Sequence, residues 1–249
     1  MADEDDVNWA VIPAAGLGTR MSENAVLGCK ELIEIGGLTM LERTIREVED
    51  AGIEKIVVIS SPNKPAIDTE LENRGVEILH QTHPNGLVDA VRCARNLTGD
   101  SPCLVALPDV LFADNNPSVV LCNEFDGSTR LAVVQTASPW GEYLCDTGRV
   151  TELEGSRILG ISEKHPDRPF PLGEFRVTGR AIWTKAFWDV AEDNEVDALR
   201  RLIENGILSA SFVKTTYIDV GLTVAVSYTH HRAHETLRYL VCRLLLEKK

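Results

Sequence analysis

The most chemically suggestive stretch of the chain is Ile12-Pro13-Ala14-Ala15-Gly16-Leu17-Gly18-Thr19-Arg20, where small residues follow a short apolar run. Such residues let backbone amides approach a ligand closely, and successive N–H groups in a turn of this kind suit a phosphate. Arg20 closes the turn and Lys30 lies ten residues further on, so two cations bracket the place where a triphosphate would rest. A dinucleotide-binding turn needs a third glycine where Met21 stands, and a Walker loop needs Gly-Lys-Ser/Thr, so neither applies. Taken alone, the segment equally fits an ordinary strand-to-helix turn, and Arg20 and Lys30 singly fit solvated surface charges. Leu107-Pro108-Asp109 adds a carboxylate at the carboxyl end of a buried apolar run that the proline stops.

Other chemistry-bearing residues form no convincing set. His230 and His234 are one helical turn apart, but His231 and Arg232 beside them and the lack of a third ligand favour a polar helix face. His234-Glu235 lacks the second histidine of a zinc-protease motif, and no Gly-x-Ser-x-Gly occurs. The six cysteines contain no Cys-x-x-Cys pair, which fits reduced thiols and excludes a disulfide framework. With 25 Lys plus Arg against 38 Asp plus Glu, the net charge is −13, a field that repels nucleic acid while leaving room for a local cationic cleft. The longest apolar stretches are strand-sized, so no membrane span is expected, and the acidic start has no signal-peptide character. Asn96-Leu97-Thr98 is then a sequon without secretion, and a cytoplasmic location is expected.

The elements that must position these residues alternate. Trp9 to Ala14 reads as a strand entering the glycine turn, and Leu38 to Ala51 as a helix with Leu41, Ile45 and Val48 on one face. Strands are expected at Ile56 to Ser60, Val76 to His80 and Cys103 to Leu107, with helices at Pro65 to Asn73 and Gly86 to Leu97 between them. Such alternation implies a parallel sheet. Leu131 to Thr136, Val150 to Leu153 and Phe175 to Trp183 read as further strands separated by polar turns, so hairpins should make the second half mixed. Helices are expected at Val196 to Asn205 and at Thr223 to about Leu246, the latter with an apolar stripe facing either the core or another subunit.

Pro-Ala-Ala-Gly-Leu-Gly-Thr-Arg-Met followed by Lys30-Glu31-Leu32 resembles the signature of the sugar-1-phosphate nucleotidyltransferases, the glucose-1-phosphate uridylyl- and thymidylyltransferase group. Further segments fall in family order to residue 221, with departures at Val26, Cys29 and His165. The resemblance implies a Rossmann-like three-layer α/β nucleotidyltransferase fold with a mixed, mostly parallel central sheet. Residues 1–6 would form a disordered acidic tail, 7–222 the nucleotidyltransferase domain and 223–249 a C-terminal helix packed on it. It implies nucleotide contacts from Ala14, Ala15, Gly16, Gly18, Thr19, Gln81 and Gly86, the Gln81 amide reading a uracil or thymine edge. Trp140, Gly141, Glu163 and Val177 would hold the sugar, while Asp109 and Asp219 would share Mg2+, since converging carboxylates repel unless a hard cation sits between them.

The reaction so implied is attack by a sugar 1-phosphate oxygen on the α-phosphorus of UTP or dTTP, releasing pyrophosphate and forming a nucleotide-sugar. The nucleophile is already ionised near neutral pH, so alignment and charge neutralisation carry catalysis. Arg20 would meet the β- and γ-phosphates, Lys30 the α-phosphate and Lys164 the sugar phosphate. Two alternatives stay open: cytidylyl transfer to a phosphoalcohol such as phosphocholine, and a catalytically silent nucleotide-binding homologue. Neither a nucleic-acid nor a membrane partner is expected, and assembly into a homo-oligomer is left open.

Overall fold

A computed structural model describes residues 6–16, 29–135, 148–162, 173–215 and 217–219. The first strand, β1 (Trp9–Pro13), buries Ala10 and Ile12 on one face and Val11 on the other, so helices must cover both sides of the sheet. A single 3-10 turn, Lys30–Leu32, and a small hairpin of β2 (Glu34–Ile35) and β3 (Leu38–Thr39) lead into α1 (Met40–Asp50). Thr39 caps this helix by accepting from the Glu42 N–H; Leu41, Ile45 and Val48 form its buried stripe. Gly52, at φ +84°, supplies the left-handed residue that ends it.

Strand–helix alternation continues through β4 (Lys55–Ser60), α2 (Pro65–Leu71), β5 (Glu77–His80), α3 (Leu87–Arg92), α4 (Arg95–Thr98) and β6 (Cys103–Ala106). The helix expected from Gly86 to Leu97 is two short ones. At the break the Ala94 N–H bonds the Val91 carbonyl and the Leu97 N–H bonds the Ala94 carbonyl, i to i−3 contacts that tighten the chain beyond α-helical pitch. Next come β7 (Val110–Phe112), α5 (Pro117–Asn123), β8 (Thr129–Gln135), β9 (Arg149–Glu154) and β10 (Arg157–Ser162). Then β11 (Phe175–Trp183), α6 (Lys185–Val190), α7 (Glu195–Glu204), β12 (Leu208–Phe212) and β13 (Tyr217–Asp219) complete the described chain.

Nine strands form one sheet in the order β5-β4-β1-β6-β11-β8-β12-β10-β9. The β5-β4-β1-β6 part is wholly parallel, and β12 runs parallel to β8; β11 runs antiparallel to β6 and β8, and β9 with β10 makes an antiparallel hairpin. The sheet is therefore mixed, as expected, with less of it parallel than the sequence implies because β11 reverses direction beside β6. One face packs on α1, α2 and α5 through residues such as Leu41, Ile67 and Leu121, the other on α3, α6 and α7 through Val88, Phe187 and Leu202. That is a three-layer arrangement. Among the described residues no helix is long and apolar enough to cross a membrane. Residues 1–5 of the tail expected at 1–6, and the C-terminal helix expected at 223–249, lie outside the described residues.

The parallel quartet fixes where a ligand can sit. The chain leaves β1 toward β4 and β5, then returns to the other side of β1 as β6. The crevice beyond the carboxyl ends of β1 and β6 is thus a topological switch point, the place where open α/β sheets take their ligands.

Candidate active site

The turn after β1 and the end of β6 flank this crevice. Ala14 continues the β1–β4 ladder, its N–H donating to the Ile59 carbonyl at 2.8 Å, while its carbonyl accepts from Lys64 Nζ at 2.9 Å. Both backbone groups of Ala14 are thus committed within the fold, and Ala15 and exposed Gly16 follow it in the turn. Lys64 is itself buried, 6% exposed, and pairs at 2.9 Å with Glu31, 1% exposed. A turn able to cradle an anion is therefore fastened from beneath by a buried ion pair.

Lys30, next to Glu31 in the 3-10 turn, faces the other way. Its ammonium donates to Asp109 Oδ2 at 2.5 Å, 79 residues along the chain, with both side chains part-exposed. Two expected site residues, one cation and one carboxylate, thus meet at the switch point. Beyond Asp109 the chain forms β7, which pairs antiparallel with β13 so that Asp219 lies opposite Val110. Neighbouring strands are about 5 Å apart, so the backbone of Asp219, the second expected metal residue, runs beside the residue that follows Asp109. The expected metal pair consists of hard oxygen donors, and among the described residues no group of three or more His, Cys, Asp or Glu competes with it. Two aspartates, with the remaining positions left to water and phosphate oxygens, are by residue type a donor set that would suit magnesium.

The end of β6 is held by a second buried ion pair. Arg180, fully buried on β11, donates from Nε and Nη2 to the two Glu47 oxygens at 2.7 and 2.8 Å, and from Nη1 to the Leu107 carbonyl at 2.7 Å. Gly179 makes this approach feasible: at φ +73° it breaks the β11 register, and a Cβ there would lie 2.9 Å from the Leu107 side chain. Val177, an expected sugar contact, lies two residues before it, toward the same edge of the sheet as Asp109.

At the outer end of the parallel quartet, Gln81 follows β5, its N–H bonded to the Ser60 carbonyl. Its side-chain Nε2 donates to Asp89 Oδ2 at 2.7 Å and more weakly to the Gly86 carbonyl at 3.3 Å. Gly86, at φ +102°, opens α3. Gln81 and the β1 turn share one sheet edge two strand spacings apart, about 10 Å, the span between a base and its α-phosphate. The expected residues Gly18, Thr19, Arg20, Trp140, Gly141, Glu163 and Lys164 lie outside the described residues.

Burial pushes the Cys29 thiol, behind Lys30, above its ordinary value, with Lys64 opposing and Glu31 adding to the rise. Burial likewise pushes Cys103 up to about 12 and Cys122 to about 11, so these thiols are neutral packing groups. Sequence reasoning missed Lys64, Arg180, Glu47 and Asp89. Each is a charged residue with no local signal of burial; only α2 starting at Pro65 hints that Lys64 stands at a helix entrance.

Residues 10–158 match the model of the MobA-like NTP transferase domain. The chain is 28% identical over 260 residues to the UTP–glucose-1-phosphate uridylyltransferase of Haemophilus influenzae, covering 85% of this chain and 88% of that protein. Its fold resembles a UTP-bound UGPase from Acinetobacter baumannii, with a TM-score of 0.70 and 23% identity over 98% of this chain and 100% of that one. It resembles equally the inositol-1-phosphate CTP transferase of T. maritima, with a TM-score of 0.70 and 15% identity over 96% of each chain. Of these two neighbours, one is named with UTP and the other with CTP.

Proposed function

The chain belongs to the MobA-like NTP transferase domain family, and we propose that it transfers the nucleoside monophosphate of UTP or dTTP to a sugar 1-phosphate. The reading rests above all on the meeting of Lys30 and Asp109 at the switch point, beside the small-residue turn and next to Val110, the backbone partner of Asp219. The name of the Haemophilus relative, alike along most of both chains, makes glucose 1-phosphate the first acceptor to try.

In the proposed reaction a non-bridging oxygen of the sugar phosphate attacks the α-phosphorus. The bond from that phosphorus to the oxygen bridging to the β-phosphate breaks, and pyrophosphate leaves with the electron pair. No proton need move at the reacting centre. Ala15 and Gly16 offer backbone N–H groups to the triphosphate, and Arg20, four residues on, meets its outer phosphates. Lys30 is placed to exchange its contact with Asp109 for the α-phosphate, where charge gathers in the transition state. Asp109 and Asp219 would hold Mg2+, which when bound neutralises phosphate charge and orients the two anions. Lys164 and Glu163 would receive the sugar phosphate and sugar hydroxyls, with Val177 and the Trp140-Gly141 pair against the ring.

The test is a grid of UTP, dTTP, CTP, ATP and GTP against glucose 1-phosphate, other sugar 1-phosphates and phosphocholine, with Mg2+, following pyrophosphate. Release with UTP or dTTP and a sugar 1-phosphate is the expected result. Release only with CTP and phosphocholine establishes the cytidylyl alternative, and silence across the grid leaves a nucleotide-binding homologue.

A further inference from the structure

The Gln81 amide does not choose freely which atom it turns outward. Its Nε2 faces the Asp89 carboxylate at 2.7 Å and the Gly86 carbonyl at 3.3 Å, both acceptors, so chemistry requires the nitrogen to stand there. The residue is 5% exposed, and no donor among the described residues reaches its Oε1. A carboxylate in the first turn of a helix, as Asp89 is in α3, is ordinary in itself. What sets Asp89 apart is the atom it holds.

We infer that Asp89 is a specificity-determining residue, which locks the Gln81 amide with its oxygen toward the base and so demands a base that brings an N–H donor. This rests on the nucleotidyl-transfer reading above. Uracil and thymine present N3–H and satisfy Oε1. Cytosine presents the bare N3 lone pair, so two acceptors would face each other in a nearly dry site, and its amino group would find no acceptor in the Gln81 nitrogen. Were Asp89 absent, only the longer contact to the Gly86 carbonyl at 3.3 Å would oppose a half-turn of the amide, whose two ends are nearly equal in shape, so it could serve either pattern. A fold that accompanies both UTP and CTP needs some such device, and sites that leave a buried polar group unpaired reject the wrong substrate strongly. Guanine presents N1–H beside a carbonyl, so the lock does not act against it.

Asp89→Asn is the sharp test, because the isosteric amide can accept from the Gln81 nitrogen or donate to its oxygen and therefore keeps the bond while removing the preference. With glucose 1-phosphate and Mg2+, kcat/KM is measured for UTP, CTP and GTP in wild type, Asp89→Asn and Asp89→Ala, the last placing a good helix former at the position. Thermal unfolding checks that each variant is folded. The CTP-to-UTP ratio is expected to rise about tenfold in at least one variant, the loss of one charge-assisted orientation, while the GTP-to-UTP ratio does not rise. A uniform fall for all three nucleotides, with unchanged ratios, makes Asp89 a structural residue and overturns the inference alone. A wild type that releases no pyrophosphate with any of them removes the nucleotidyl-transfer reading and this inference with it.

Discussion

Replacing Lys64 by Met tests how firmly the glycine turn is fastened. The substitution keeps the apolar stem and deletes the ammonium, leaving the Glu31 carboxylate, 1% exposed, without its partner at 2.9 Å, and the Ala14 carbonyl without its donor. Breaking a buried ion pair from one side costs about 3 to 5 kcal/mol, and the lost bond to the carbonyl about 1 kcal/mol more. Urea unfolding followed by fluorescence should show a fall of that size, a large share of a typical domain's stability. Lys64→Met with Glu31→Gln removes the stranded charge, so the double variant should recover about 2 kcal/mol or more over the single one, a positive coupling in a double-mutant cycle. A single variant within about 1 kcal/mol of wild type, or a double variant whose losses simply add, refutes the claim that this pair works as one buried unit.

The remaining predictions concern chemistry. Asp109→Asn should lower kcat by two to three decades, about 3 to 4 kcal/mol, while circular dichroism stays native; near-normal pyrophosphate release would remove Asp109 from the site. Gln81→Ala should flatten the preference for uracil over cytosine nucleotides more than it weakens triphosphate affinity, and unchanged relative rates among the bases would refute the assigned contact. Because burial raises Cys103 to about 12 and Cys122 to about 11, both stay protonated at pH 8, and iodoacetamide should spare them in the native protein yet label them after unfolding. Rapid native labelling of Cys103, read by mass spectrometry, would contradict its burial.

The sequence shows what depends on local pattern. Val11 and Ile12 between Trp9 and Pro13, Ile56 to Ser60, and the Leu41-Ile45-Val48 stripe each declare their period, and each lies where its period puts it. Short elements such as β12, Leu208–Phe212, are harder to read: Leu208, Ala210 and Phe212 alternate with two serines, a run that stands out only once β8 and β10 lie on either side. The same holds for the site. Lys30 and Asp109 are visible as residue types, but their contact spans 79 positions and depends on the strand order that sets β6 beside β1. Lys64 and Arg180 read as surface charges because burial of a cation depends on an acid elsewhere in the chain, Glu31 for one and Glu47 for the other.

Those two pairs share a further property. Lys64 spans from Glu31 to the carbonyl of Ala14, just past β1; Arg180 spans from Glu47 to the carbonyl of Leu107, just past β6. The two strands flank the switch point, so each lip of the crevice has one backbone carbonyl tied down by a buried cation. Well-packed apolar groups can match a buried ion pair in stability, so stability alone gives little reason for charge at both positions. An apolar replacement would, however, leave each carbonyl without a donor and the lip free to shift. Transferring a nucleotidyl group between two anions depends on alignment within about half an ångström, and a tied carbonyl on each side supplies that constraint without placing any further charge in the crevice itself.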